Sequence, residues 1–130
     1  MATAPAFAAT PRCAIVQAVT ANTARDGTGT IATLFTAGAS GSRIERVRIK
    51  ATGTTTAGVV RLFIHDGSNA RLFREVLVTA ITPSTTVEAF SSELDFSGPD
   101  QILVLPTGYS LRVATNNAET FNCHAFGGDF

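Results

Sequence analysis

Short strand-like runs recur from Cys13 to the C-terminus, separated by clusters of Thr, Gly, Ser, Asn and Pro, and no segment carries a long helical period. This rhythm constrains the chain more than any other feature, because runs of that length at that spacing read as one all-β antiparallel sandwich. The runs are Cys13–Thr20 (CAIVQAVT), Thr30–Thr36 (TIATLFT), Arg43–Thr52 (RIERVRIKAT), Ala57–Asp66 (AGVVRLFIHD) and Ala70–Thr79 (ARLFREVLVT). They continue with Thr86–Leu94 (TVEAFSSEL), Gln101–Leu105 (QILVL), Tyr109–Thr115 (YSLRVAT) and Phe121–Gly127 (FNCHAFG). Asp66-Gly67 supplies the positive φ of a tight turn and joins the fourth and fifth runs as a hairpin. Pro83 interrupts the ladder before the sixth, since proline has no N–H to give. Eight or nine short strands are expected, the number found in jelly rolls and related sandwiches.

Alternation sorts the faces. In the third run Val47 and Ile49 point one way, and Arg46, Arg48 and Lys50 point the other as a basic ladder. In the fourth, Val60, Leu62 and Ile64 oppose Arg61, Phe63 and His65; in the fifth, Leu72, Val76 and Val78 oppose Arg71, Phe73 and Glu75. The outward faces of these three runs mix Arg, Glu and aromatic groups, as protein–protein faces do. A solvated sheet with weak cross-strand ion pairs has the same composition.

With 130 residues the chain is one domain, large enough to hold a core without staples. Charged residues make up only 15 %, well below the usual quarter, so Thr, Ser, Ala, Asn and Gly must form much of the surface. The formal net charge is zero, which offers no general attraction to nucleic acid or anionic membrane. Nine arginines stand against the single Lys50. Arg is the cation enriched at interfaces, although a GC-rich genome leaves the same mark.

Residues 1–12 (MATAPAFAATPR), with Pro5 and Pro11, are expected to form an extended N-terminal arm with Phe7 as an anchor, or a disordered tail; residues 13–130 form the domain. This segment has neither the basic start nor the apolar stretch of a signal peptide, and no run approaches the length of a membrane span. Two cysteines, Cys13 and Cys123, do not make a disulfide framework. If the first and last strands are antiparallel neighbours, Cys13 faces residues near Gly127, and the two sulfurs are too far apart to bridge.

No catalytic constellation stands out. His65, Asp66, His124, Cys123, Cys13 and Asp129 lack metal-ligand spacing. Asp26-Gly27-Thr28-Gly29 holds one carboxylate, too few for a calcium loop. Glu88 and Glu93, five apart on one expected strand, fall on opposite faces and cannot flank a glycosidic bond together. The chain has no Trp and one Tyr, which argues against a sugar-binding module, and nothing points to a cofactor or a small-molecule ligand.

Two stretches together carry a resemblance: Ser42–Asn69 (SRIERVRIKATGTTTAGVVRLFIHDGSN) and Leu105–Phe130 (LPTGYSLRVATNNAETFNCHAFGGDF), with its Gly-Gly-Asp-aromatic ending. The pair resembles small jelly-roll head-decoration or accessory virion proteins of tailed bacteriophages and prophages, over most of residues 30–130. The resemblance implies a non-enzymatic structural protein, assembled in the host bacterial cytoplasm, that cements the capsid exterior. Its partners would be major capsid protein subunits and itself, as a homotrimer. No functional residue transfers by motif. The residues expected at the partner interface are Phe7, Arg46, Arg48, Lys50, Arg61, Phe63 and Phe130. Two other readings stay open: a tail fibre, spike or baseplate component contacting the host, and a sandwich module that binds sugar or peptide.

Overall fold

The computed structural model describes residues 9–98 and 102–130. It is all-β, with nine strands: β1 (Thr10–Ala18), β2 (Ala32–Thr36), β3 (Ser42–Ala51), β4 (Gly58–His65), β5 (Ala70–Val78), β6 (Ser91–Asp95), β7 (Leu103–Leu105), β8 (Ser110–Thr115) and β9 (Phe121–Asp129). Two antiparallel sheets enclose one core. The first has the order β1-β9-β3-β6, with β7 also paired to β3; the second has the order β2-β8-β4-β5. β6 and β7 follow one another along β3, pairing with Arg46–Lys50 and then with Ser42–Ile44.

The interior is built from the faces that alternation assigns. Val47 and Ile49 of β3 and Phe121, Cys123 and Ala125 of β9 meet Val60 and Leu62 of β4 and Leu111 and Val113 of β8. Phe90, just before β6, packs edge-on against Phe121 with ring centres 6.3 Å apart. Phe73 and Phe96 lie 5.8 Å apart.

β1 and β9 are antiparallel neighbours, as the sequence argument required. Cys13 stands opposite Phe126 and Cys123 opposite Val16, so the thiols are three register steps apart and both are free. The Asp66-Gly67 hairpin is present: Gly67 has φ +99°, and Asp66 Oδ1 accepts the amides of Ser68 and Asn69.

Three details differ from the expectations. β1 begins at Thr10, so Thr10–Arg12 belong to the sheet rather than to an arm; Pro11 is tolerated because β1 is an edge strand. The rest of the expected arm, Phe7 included, lies outside the described residues. β6 begins only at Ser91, because Ser84 and Val87 close their own short turn first. In β5 the register jumps from Arg74 to Leu72 while β4 advances by one, which makes Phe73 a bulge. Phe73 therefore packs against the core and Leu72 is exposed, the reverse of simple alternation.

Candidate functional site

The two sheets differ in what covers their outer faces. The segment between β1 and β2 crosses the second sheet from one side to the other. Ala21 bridges Thr115 of β8, and the Asn22 amide donates to the Thr115 carbonyl at 2.8 Å. Arg61 of β4 donates to the Asn22 carbonyl at 3.1 Å, and Arg25 pairs with Glu75 of β5 at 3.0 Å. Gly27 meets β5 at Ala70 so closely that a Cβ would collide with the Ala70 carbonyl. Asn22 ties the segment to itself by donating to the Thr28 and Thr30 carbonyls.

Burial removes two residues from the expected interface. Arg61 and Phe63 do lie on the outward side of β4, but they are 2 % and 0 % exposed. Arg61 is an internal strut: its guanidinium reaches the Asn22 carbonyl, the Asn116 side chain and, at 3.4 Å, the Glu75 carboxylate. A buried cation is tolerated only with such partners. Alternation can assign a face but cannot show that a loop lies over it.

The first sheet has no such cover. Its outward side chains form three rows across β1, β9, β3 and β6. One row is Cys13, Phe126, Arg46, Asp95; the next is Ile15, His124, Arg48, Glu93; the third is Gln17, Asn122, Lys50, Ser91. Arg46, Arg48 and Lys50 are thus brought together as expected, but not as a bare basic ladder. Arg48 donates to Glu93, Arg46 approaches Glu93 at 3.7 Å, and Lys50 pairs with Glu88. Each carboxylate is held below its ordinary pKa: Glu93 chiefly by its bond from Arg48, Glu88 by Lys50, and Asp95 by the Ser97 hydroxyl. The expectation that Glu88 and Glu93 fall on opposite faces is corrected here. Glu88 precedes the strand, so no alternation links the two, and both line one shallow depression with His124.

The β1–β9 half of the face is more apolar. Ile15 is 64 % exposed at the sheet edge, Cys13 lies beside it, and the rings of His124 and Phe126 stack at 6.2 Å. The Arg46 guanidinium lies 6.0 Å from the Phe126 ring. This arrangement can do what an interface does: it offers an apolar strip to bury, beside ion pairs whose members can exchange partners.

Phe130 stands apart from these rows. Its amide donates to the Gly41 carbonyl at 3.2 Å, its ring lies against Gly41, and it is partly exposed at one end of the sandwich. The histidines do not converge, since His65 ends β4 in one sheet and His124 lies in the other. Among the described residues no three His, Cys, Asp or Glu side chains are grouped to hold a metal. No protein-family model matches the chain, and no curated protein sequence matches it significantly.

Proposed function

We propose that this protein is a non-enzymatic structural component of a tailed-phage virion that binds the capsid exterior and cements its major capsid protein subunits. The observation that carries the reading is the contrast between the two outer faces: the chain's own Ala21–Ile31 segment lies across part of one sheet, and the other presents three open rows across four strands. A chain that covers one face and leaves the other bare has a surface available for a partner. The interface on this reading centres on Ile15, Phe126, Arg46, Arg48 and Lys50, with Phe130 at its end and Arg61 and Phe63 excluded by burial. The strand orders β1-β9-β3-β6 and β2-β8-β4-β5 support a jelly roll, since sequence neighbours are shared between facing sheets and the first and last strands pair. The resemblance of Ser42–Asn69 and Leu105–Phe130 to head-decoration or accessory virion proteins favours a capsid partner over a tail one. Closed rings use a single patch per protomer, and a homotrimer is the assembly this reading favours.

The test is co-sedimentation of the full chain with capsid shells of the phage that encodes it. Saturable binding that Ile15→Asp abolishes supports the proposal. Absence of binding, or equal binding by a folded Ile15→Asp variant, overturns it.

A further inference from the structure

A cleft at one end of the sandwich stands apart from the interface face. It lies between the Asp26–Gly29 turn and the β4–β5 hairpin, and its walls include Asp26, Thr28, His65, Asn69, Arg71 and Arg112. Two of its cations have no carboxylate partner among the described residues. Arg71 makes no side-chain hydrogen bond there, and Arg112 makes one, from Nε to the neutral Ser110 hydroxyl at 3.1 Å.

Arg112 is the informative residue. It sits on β8, a central strand of the second sheet, paired to Phe63 of β4, and is only half-exposed. Arg61, on the same outward face, shows how this fold treats an enclosed guanidinium: it is given a carboxylate, a carbonyl and an amide oxygen. Arg112 lines the cleft, and its terminal nitrogens make no hydrogen bond among the described residues. A partly enclosed cation without a counter-charge is costly, and the cost is recovered when an anion occupies the fork. The one carboxylate on the wall, Asp26, does not fill that role. Its Oδ1 accepts the Thr28 hydroxyl at 2.6 Å and the Thr28 amide at 3.1 Å, which fixes its own turn. Across the cleft, Asp66 is likewise taken up by the hairpin amides. His65 Nδ1 accepts the Gly67 amide at 3.0 Å, so the proton of a neutral ring resides on Nε2, a further donor. Arg71, Arg112 and His65 thus supply donors to a volume of about 270 Å³, the scale of a small ion or one sugar acid.

We infer that this cleft binds a small oxyanion, a phosphoryl or carboxylate group, through Arg71 and Arg112. The inference does not depend on the capsid reading, because it concerns the opposite sheet.

The test is an amide NMR titration of the full chain at constant ionic strength, once with inorganic phosphate and once with glucuronate. Saturable shifts are expected at Thr28, Gly29, Asn69 and Arg71. Arg71→Gln and Arg112→Gln should each weaken binding about tenfold or more, the weight of one charge-assisted bond. Arg74→Gln, which alters a β5 arginine outside the cleft, should leave it unchanged. Arg71 is exposed, so its variant carries the test even if Arg112→Gln fails to fold. Binding of phosphate alone assigns a phosphoryl ligand, and binding of glucuronate alone assigns an acidic sugar. No saturable shift with either, or equal affinity in a folded Arg71→Gln variant, overturns the inference.

Discussion

Arg12 and Asp129, 117 positions apart in the chain, meet at 2.9 Å where the first and last strands pair. The same Asp129 oxygen accepts the buried Ser42 hydroxyl, and Ser42 Oγ in turn accepts the Gly38 amide at 2.9 Å. Arg12 also donates to the Thr36 carbonyl at 2.7 Å and lies 4.1 Å from the Phe35 ring, so it ties β1 to the opposite sheet. One carboxylate near the C-terminus thereby fastens β1, β3 and the loop before β3 together. This gives the Asp of the Gly-Gly-Asp-aromatic ending a structural role.

Ser42→Ala should therefore destabilise the fold by about 1–2 kcal/mol, the cost of removing one buried hydroxyl and leaving the Gly38 amide without its acceptor. Urea denaturation reads the change as a lower midpoint at unchanged slope. An unaltered midpoint would remove the latch from the account.

Acid should weaken the protein in a defined direction. Asp129 is held below its ordinary pKa chiefly by the Ser42 hydroxyl and then by Arg12; Asp26 by Thr28; Asp66 by the Asn69 and Ser68 amides. Glu88, Glu93 and Asp95 are lowered as well. A depressed folded pKa means that the unfolded chain takes up the proton first. The stability from these groups is present above the ordinary carboxylate range, near pH 4, and is lost as pH falls through the lowered values. Urea midpoints should be level between about pH 7 and pH 5 and drop by pH 3, and Asp129→Asn should flatten part of that drop. A midpoint that holds or rises at pH 3 would contradict the assignment.

The cysteines should react very differently. Cys13 is exposed at the sheet edge, whereas burial raises the Cys123 thiol to about 12. The thiolate is the reacting species. Iodoacetamide on the native protein should add one label, at Cys13, with the second appearing only in denaturant. Mass spectrometry distinguishes this from double labelling, which would contradict the burial of Cys123, and from a Cys13–Cys123 disulfide, which would contradict the β1–β9 register.

Two glycines give a paired test of backbone packing. Gly127 of β9 faces the β3 bulge, where Glu45 is the extra residue, and a Cβ there would be driven into the Arg43 carbonyl. Gly53 has open space around it. Gly127→Ala should cost about 1–3 kcal/mol or prevent folding, while Gly53→Ala should stay within about 0.5 kcal/mol of the parent. Equal effects in thermal melts would mean that the bulge is not where the structure places it.

Much of this architecture was readable from residues alone, because strand period and turn chemistry are local. The Asp66-Gly67 hairpin and the inward Val47/Ile49 and Val60/Leu62 pairs follow from alternation and glycine φ, and the β1–β9 pairing was expected only on the premise of a jelly-roll topology. What escaped was non-local. Arg61 and Phe63 read as outward residues and are outward, yet both are buried, and a segment some forty residues earlier in the chain lies over Arg61. Phe73 and Leu72 exchanged faces through one bulged residue that no periodicity marks. Pro11 read as part of an arm outside the sheet, because its place on an edge strand depends on the sheet order. The basic ladder was correctly placed, but its neutralisation by Glu88 and Glu93 required the register of β3 against β6 and the turn before it.

The most direct test of the central claim is hydroxyl-radical footprinting of the full chain, free and bound to capsid shells. The open face of the first sheet should be the buried one, with Ile15, Phe126 and His124 protected on binding. Leu77, 78 % exposed on β5 of the other sheet, should react equally in both states. Protection of Leu77 with unchanged labelling at Ile15 would contradict the account.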